Sequence, residues 1–306
     1  MSDPGSKLQE NGLLANNGEA FSLAQNKVYE RWREDKLASY PTQIESLMVS
    51  VENLAGLSGE ERTALGRCLR EANIALYECK GPSATKNTIR LLAKQLGLVQ
   101  LDNNLCSDED SITSLQVKET SRHGSYIPYS NKRLSWHTDG YYNPATQTVR
   151  AIAMHCVRPA ARGGENTFLD PEILYIQLRD QDPLWIEALM HADAMIIPPN
   201  REAGREIRAE TRGPVFSVDD QGYLHMRYSA RVRNIEWLEN VHIKRATDFI
   251  TDFLASDSPY IFRYRLKANE GVISNNVLHN RTAFEDDNEH KRLLYRARFY
   301  DRVNVD

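Results

Sequence analysis

The sequence predicts an α+β fold in which a helical N-terminal layer rests on a C-terminal sandwich or jelly roll. Three observations predict it. Apolar residues recur at helical spacing up to about residue 98, the apolar period falls to two beyond about residue 110, and the strand-like segments of that half lack the regular helices that βαβ units require. The chain has 306 residues, 41% of them hydrophobic, which is long enough for a substantial core.

The elements follow in order. Residues 1–20 are rich in Gly, Asn, Ser and Glu with one short apolar pair, too little to offset the entropy of ordering, so a mobile tail is expected there. A helical layer over 21–98 comes next. Ile44, Leu47, Met48 and Val51 fall at helical spacing, as do Leu65, Leu69, Ala72 and Leu76, and then Ile89, Leu92, Ala93 and Leu96. Ser58 with Glu61 reads as a capping box opening the second helix, and Gly97 as the residue closing the third. In the second half, 149–157, 215–218, 260–266, 271–278 and 292–300 read as strands, with Asp219-Asp220-Gln221-Gly222 as a hairpin turn. Two helical insertions are expected, over 171–190 and 235–254.

Composition excludes several function classes. With 38 Lys+Arg against 42 Asp+Glu the net charge is −4, and no clustered positive field for nucleic acid or an anionic membrane is predicted. No run of about 18 apolar residues exists to span a bilayer. Residues 1–25 show neither a basic nor an apolar leader segment, so a cytoplasmic location is expected. Cys68, Cys79, Cys106 and Cys156 lie far apart without a CxxC pair and are read as reduced thiols.

The densest group of chemically capable residues is Ser135-Trp136-His137-Thr138-Asp139-Gly140-Tyr141-Tyr142-Asn143. On extended backbone His137 and Asp139 point to the same side, so an imidazole and a carboxylate can reach one point. Two ligands hold a metal weakly, and His279, at the end of the apolar run 271–278, supplies a third. Two His and one carboxylate on one face suit non-heme Fe(II) oxygenases. An HxD pair alone is common by chance. What gives it weight is the segment Lys291 to Asp301, where Arg292, Arg296 and Arg298 share one face of a strand and Leu293, Tyr295, Ala297 and Phe299 the other. A solvated strand face is the bland reading of such a charge run; a wall for carboxylates is the sharp one, favoured by the flanking apolar residues.

His137-Thr138-Asp139, Gly163-Gly164-Glu165-Asn166-Thr167, the stretch from Pro214-Val215-Phe216 through Gly222 to Arg227-Tyr228, His279 and Arg292 to Arg298 resemble, in order and spacing, the taurine dioxygenase/TfdA superfamily of Fe(II)- and 2-oxoglutarate-dependent dioxygenases. The glutarate 2-hydroxylase and gamma-butyrobetaine hydroxylase branches look nearest, over roughly residues 110–302. The resemblance implies a double-stranded β-helix (jelly-roll, cupin-like) core with a helical N-terminal layer and helical insertions, in a single domain over 21–306. It implies that His137, Asp139 and His279 bind iron, and that Thr167 helps hold 2-oxoglutarate. By the same likeness Arg292 takes the far carboxylate of 2-oxoglutarate and Arg296 lies beside a substrate anion, although in the glutarate branch that work falls to Arg296 and Arg298. The cosubstrates would be 2-oxoglutarate and O2, with succinate and CO2 as products. Halogenating relatives lack the carboxylate, so Asp139 favours hydroxylation or oxidative cleavage after hydroxylation. The expected partner is a small anionic or zwitterionic metabolite, a carboxylate, sulfonate or betaine, and the expected assembly a homo-oligomer, dimer or tetramer. The main alternative is a non-catalytic cupin-like sensor of metal and 2-oxoglutarate. A zinc hydrolase at the same triad fits less well, because no glutamate base is suggested near it.

The remaining candidates are weighed against bland readings. His155 is expected to be a core histidine, His123 a loop residue, and His191, His225, His242 and His290 structural or surface groups. Trp136, Tyr141, Tyr142 and Asn143 are candidates for the substrate wall, with Trp136 and Thr138 alternatively facing the core. Arg231 and Arg233 either bind an anion or end a solvated strand.

Overall fold

The computed structural model describes residues 17–102, 111–117, 129–202, 205–231 and 235–304. Its core is a cupin-like jelly roll of two sheets. The larger has six strands in the order Met48–Val51, Ile74–Cys79, Glu270–Ser274, Ala151–Arg158, Leu293–Phe299 and Thr113–Leu115. Its first pair is parallel and all its other pairings are antiparallel. The smaller has four: Phe262–Tyr264, Asn166–Leu169, Leu278–Arg281 and Leu134–His137.

Alternation along these strands decides what each face carries. Ile152 pairs with Arg298, Met154 with Arg296 and Cys156 with Leu294, so these side chains share the face turned toward the smaller sheet. Ala153, His155, Tyr295 and Ala297 share the opposite face. The helix Lys86–Gln95 packs there, burying Ile89, Leu92 and Ala93; each large apolar side chain so buried contributes about 1.5–3 kcal/mol. The helix Gly59–Ala72 covers the neighbouring strand Ile74–Cys79 with Leu65, Cys68, Leu69 and Ala72. Farther along, the buried Lys36 ammonium sits 2.8 Å from Asp170 and 2.6 Å from Glu172, which ties the helix Asn26–Ser39 to the insertion after the strand Asn166–Leu169.

Local chemistry sets the ends of these elements. The capping box is present: Ser58 Oγ accepts from Glu61 N at 3.1 Å and Glu61 Oε2 accepts from Ser58 N at 2.7 Å. Gly97, at φ +79°, closes the next helix, its N–H bonding Lys94 O while Leu98 N–H bonds Ala93 O. Ser58→Ala is expected to lower stability by about 1 kcal/mol, read as a shift in urea midpoint at unchanged slope; an unshifted midpoint would show that the cap carries no weight.

Several sequence expectations are corrected. Residues 17–20 form a helical turn with Ala20 buried, so ordered structure begins earlier than residue 21, while residues 1–16 lie outside the described residues. Ile44 to Val51 is a 3-10 turn, Ile44–Leu47, followed by the strand Met48–Val51; so short a periodic pattern is ambiguous, and pairing with Ile74–Cys79 decides it. Leu76 belongs to that strand because Asn73, left-handed at φ +56°, stops the helix at Ala72. The insertion over 171–190 is two helices, Pro171–Gln181 and Pro183–Leu189, split where Asp182 precedes a proline and is driven to extended backbone. The second insertion begins only at Val241, capped by Asn240, after a short strand at Glu236–Trp237.

The apolar run 271–278 is also divided. Asn276 adopts φ +52°, and the strands on its two sides, Glu270–Ser274 and Leu278–Arg281, enter different sheets. That break delivers His279 to the smaller sheet.

Candidate active site

His137 ends the strand Leu134–His137 and pairs in register with His279, their ring centroids 4.3 Å apart. The chain then turns through Thr138, which bonds the Tyr228 backbone in both directions: its N–H donates to Tyr228 O at 3.0 Å, and its Oγ1 accepts from Tyr228 N at 3.1 Å. Gly140, at φ +70°, completes the turn; a Cβ there would stand 2.5 Å from Val149 Cγ2. The outcome is that one ligand-type atom from each of His137, Asp139 and His279 lies within 4.8 Å of the others, all three residues being buried.

The donor set is prepared for a cation. His137 Nδ1 lies 2.9 Å from Ser135 O and His279 Nδ1 lies 2.9 Å from Val277 O. Each imidazole thus gives its Nδ1–H to a carbonyl and keeps the Nε2 lone pair for a metal. Asp139 Oδ1 accepts from Arg296 Nη1 at 3.2 Å, whereas its Oδ2 is buried without any hydrogen-bond partner. An orphaned carboxylate oxygen beside two oriented imidazoles fits the two-His-one-carboxylate iron site.

Electrostatics agrees. Burial by itself would raise the Asp139 carboxyl, but the Arg296 guanidinium foremost, with Arg298 behind it, holds it well below the usual carboxylate range. Burial, reinforced by His137, pushes His279 down to about 4, which keeps the imidazole neutral and able to ligate. Away from the triad, burial likewise lowers His155 to about 4 and His225 to about 3. A histidine whose folded pKa is depressed opposes folding once the unfolded chain can protonate. The protein should therefore keep its stability above about pH 6.5 and lose it progressively as pH falls toward 4. Melting temperature against pH checks this, and a flat profile between 6.5 and 4 would contradict it.

The three arginines, equivalent in sequence, differ in their counter-charges. Arg298 forms a buried ion pair with Asp102 and donates to Tyr142 Oη at 3.0 Å. Arg296 pairs with Asp139. Arg292 precedes the strand, set off by a register irregularity between Leu293 and Leu294, and lies over the Phe284 ring 5.0 Å from its centroid. It is only 5% exposed, yet no carboxylate pairs with its guanidinium among the described residues. Burial pulls it down to about 10, against the opposing pull of Cys156 and Asp286. It lines a small cavity with Cys156, Gly164, Asn166, Leu266 and Leu294.

Thr167 is not in that cavity. The strand Asn166–Leu169 pairs Phe168 with His279, Asn166 with Arg281 and Thr167 with Asn280. Asn166 and Phe168 therefore share the face of the metal ligands, and Thr167 faces the other way. Strand parity thus puts Asn166, not Thr167, on the side of the cavity, and the signal that would have found it is position within the Gly163-Gly164-Glu165-Asn166 run rather than the hydroxyl.

Sequence reasoning also missed Asn276. Its side chain accepts from Asp139 N at 2.8 Å and donates to Asp139 O at 2.9 Å and to Val149 O at 2.7 Å. It clamps the ligand loop from the segment leading to His279. Asn276→Ala should weaken iron binding by roughly 10–100-fold; iron titration of the apoprotein checks it, and unchanged affinity would reduce the clamp to packing.

Other residues fall as follows. His155 is fully buried, its Nδ1 3.1 Å from Tyr77 Oη. His290 is exposed beside Asp287. Trp136 is buried, Tyr141 stands edge-on to His137 at 6.5 Å, and Asn143 braces its own loop through Gln147 O. Arg231 is exposed. His123, Arg233 and Cys106 lie outside the described residues, and Cys68, Cys79 and Cys156 are free thiols. No helix among the described residues is long and apolar enough to cross a membrane.

Comparison with known proteins places this geometry. A family profile described as taurine catabolism dioxygenase TauD, TfdA family matches residues 38–298. A uridine-5'-phosphate dioxygenase from Amycolatopsis sp is 29% identical over 192 residues, 60% of this chain and 66% of that protein. A second from Streptomyces sp is 28% identical over 197 residues, 62% of this chain and 69% of that protein. The match thus spans about two thirds of the length of these relatives. Among solved structures, asparagine oxygenase with Fe(II), 3-hydroxyasparagine and succinate has a TM-score of 0.56 at 14% identity, covering 83% of this chain and 93% of its own. AAD-2 with Mn(II) and N-oxalylglycine has a TM-score of 0.59 at 12% identity, covering 84% and 95%. These structures support the fold.

Proposed function

Because the chain belongs to the TauD/TfdA family and is a 2-oxoglutarate-dependent non-heme iron dioxygenase, we propose that it hydroxylates an aliphatic C–H bond of a small anionic metabolite. The observation that carries this reading is the buried His137, Asp139 and His279 cluster with its orphaned Asp139 oxygen. The dioxygenase relatives set aside the sensor alternative.

Iron bound there with 2-oxoglutarate supplies the oxidising chemistry: 2-oxoglutarate, O2 and R–H yield succinate, CO2 and R–OH. The chain's own residues do the rest. His137, Asp139 and His279 hold the metal. Arg292, whose buried guanidinium no carboxylate meets among the described residues, takes the far carboxylate of 2-oxoglutarate, and Asn166 lines the same cavity with amide donors and an acceptor. Arg296 neutralises Asp139 and keeps it ionised. Arg298, already paired with Asp102, holds Tyr142 in the wall. Phe284 and Leu294 exclude water from the Arg292 end.

The relatives' substrate, uridine 5'-phosphate, is a nucleoside monophosphate, so the candidate substrates extend from carboxylates, sulfonates and betaines to phosphate monoesters. Succinate release from 2-oxoglutarate, stimulated by one member of such a panel in the presence of Fe(II), supports the reading. A panel in which no member stimulates succinate release above the uncoupled rate would count against it.

A further inference from the structure

We propose that Arg208, backed by Arg227, anchors a phosphate monoester on the substrate at the edge of the site, where no acidic residue among the described ones pairs with either guanidinium. This rests on the reading of the protein as a dioxygenase of small anions and names the group that is gripped.

The observation is an uncompensated pair of cations. Arg227 spends its donors on neutral acceptors: Nε on Tyr141 O at 2.7 Å, Nη1 on Met195 O at 2.8 Å and Gly213 O at 3.3 Å, and Nη2 on Thr211 O at 3.4 Å and Thr211 Oγ1 at 3.3 Å. Arg208, in the strand Arg205–Arg208, is half-buried and gives Nη2 to Pro198 O at 2.8 Å and Nη1 to Ala209 O at 3.4 Å. Its Nε makes no hydrogen bond among the described residues. The acids nearest in sequence are engaged elsewhere: Glu206 with Arg201 at 3.7 Å and Glu210 with Arg212 at 2.6 Å. Both cations are destabilised by burial, and Arg227 is lowered further, to about 10, by Arg208 itself. Arg208 over the Tyr142 ring and Arg227 on the adjoining Tyr141 carbonyl put two guanidinium groups, neither met by a carboxylate among the described residues, on one tyrosine pair, and a dianion answers such a charge better than a monoanion.

The place is right for a substrate. Arg208 lies 5.9 Å from the centroid of the Tyr142 ring, the ring that also receives Arg298 at 5.8 Å. Tyr142 adjoins Tyr141, whose ring stands edge-on to the ligand His137, and Arg227 holds the Tyr141 carbonyl. An anion on Arg208 thus sets the body of its molecule along the tyrosine pair toward the metal ligands. The family's usual arginine for a substrate anion, matched by Arg296, is already committed to Asp139.

The test uses the full chain loaded with Fe(II) and 2-oxoglutarate under anaerobic conditions, so that the Arg292 cavity is filled, and inorganic phosphate as the probe in calorimetry. Wild-type protein should bind phosphate. Arg208→Gln should weaken that binding at least tenfold, Arg208→Lys should restore part of it, and the affinity for 2-oxoglutarate should stay within twofold in both. Arg208→Met gives the same reading should the glutamine variant fold poorly. Phosphate bound equally by wild type and Arg208→Gln, or not bound by wild type, overturns the anchor. With a stimulating phosphate monoester in hand, the same variant should raise its KM at least tenfold with a smaller change in kcat. Failure of the dioxygenase reading shows itself separately, as absence of succinate with every substrate class while phosphate binding persists.

Discussion

Arg292→Ala should weaken 2-oxoglutarate binding by about 100-fold or more while leaving the folded protein no less stable than the loss of packing requires. A charge-assisted, bidentate contact to a carboxylate in a desolvated cavity contributes roughly 3–5 kcal/mol when one partner is removed, and 1.4 kcal/mol is tenfold in affinity. The stability arm is what makes the result diagnostic. Among the described residues no carboxylate pairs with the Arg292 guanidinium, and Asp286, which accepts from its backbone N–H at 3.0 Å, is exposed, so removing that guanidinium strands no buried opposite charge. Arg298→Ala is the contrast: it would leave Asp102, 3% exposed, as a buried carboxylate with the Tyr300 hydroxyl but no cation on it among the described residues, and should cost about 3–5 kcal/mol of stability. Anaerobic calorimetry for 2-oxoglutarate, together with denaturant midpoints, separates the two. Arg292→Ala with unaltered 2-oxoglutarate affinity would return the cosubstrate to Arg296 or Arg298.

Replacing both imidazoles, His137→Ala with His279→Ala, should abolish iron binding and reduce succinate formation by at least about 1,000-fold, since a single carboxylate supplies too few donors. Neither histidine contributes a long-range bond to the fold: each Nδ1 bonds a carbonyl two residues back in its own segment. The variant should therefore fold, and removing His279 also removes a histidine that resists protonation, so its acid stability should rise below about pH 6.5 rather than fall. Retained stoichiometric iron in the double variant would place the metal elsewhere.

How much of this was legible in the sequence depended on how local each signal was. His137 and Asp139 are two residues apart on an extended segment, and His279 ends an apolar run, so the triad could be read from spacing. The family could be read from the same residues, while the glutarate and gamma-butyrobetaine branches gained no support from the relatives. Asn166 and Thr167 were confused because a strand's inward face is a matter of parity, fixed by pairing with the strand that carries His279. The three arginines look alike along the chain; what separates them is Asp102, Asp139 and, among the described residues, the lack of a carboxylate on the Arg292 guanidinium, all set by tertiary contact. Asn276 was invisible for the same reason: its clamp on Asp139 exists only because its left-handed backbone breaks the run 271–278 between two sheets. Met48–Val51 was misread as helix because four apolar positions fit either period until a partner strand chooses.

The most direct measurement is succinate produced per 2-oxoglutarate consumed, with Fe(II), O2 and a panel that includes nucleoside monophosphates. The account predicts substrate-stimulated, stoichiometric succinate that disappears in the His137→Ala, His279→Ala protein and falls sharply at fixed 2-oxoglutarate in Arg292→Ala. Succinate formed at the wild-type rate by the double histidine variant would contradict it.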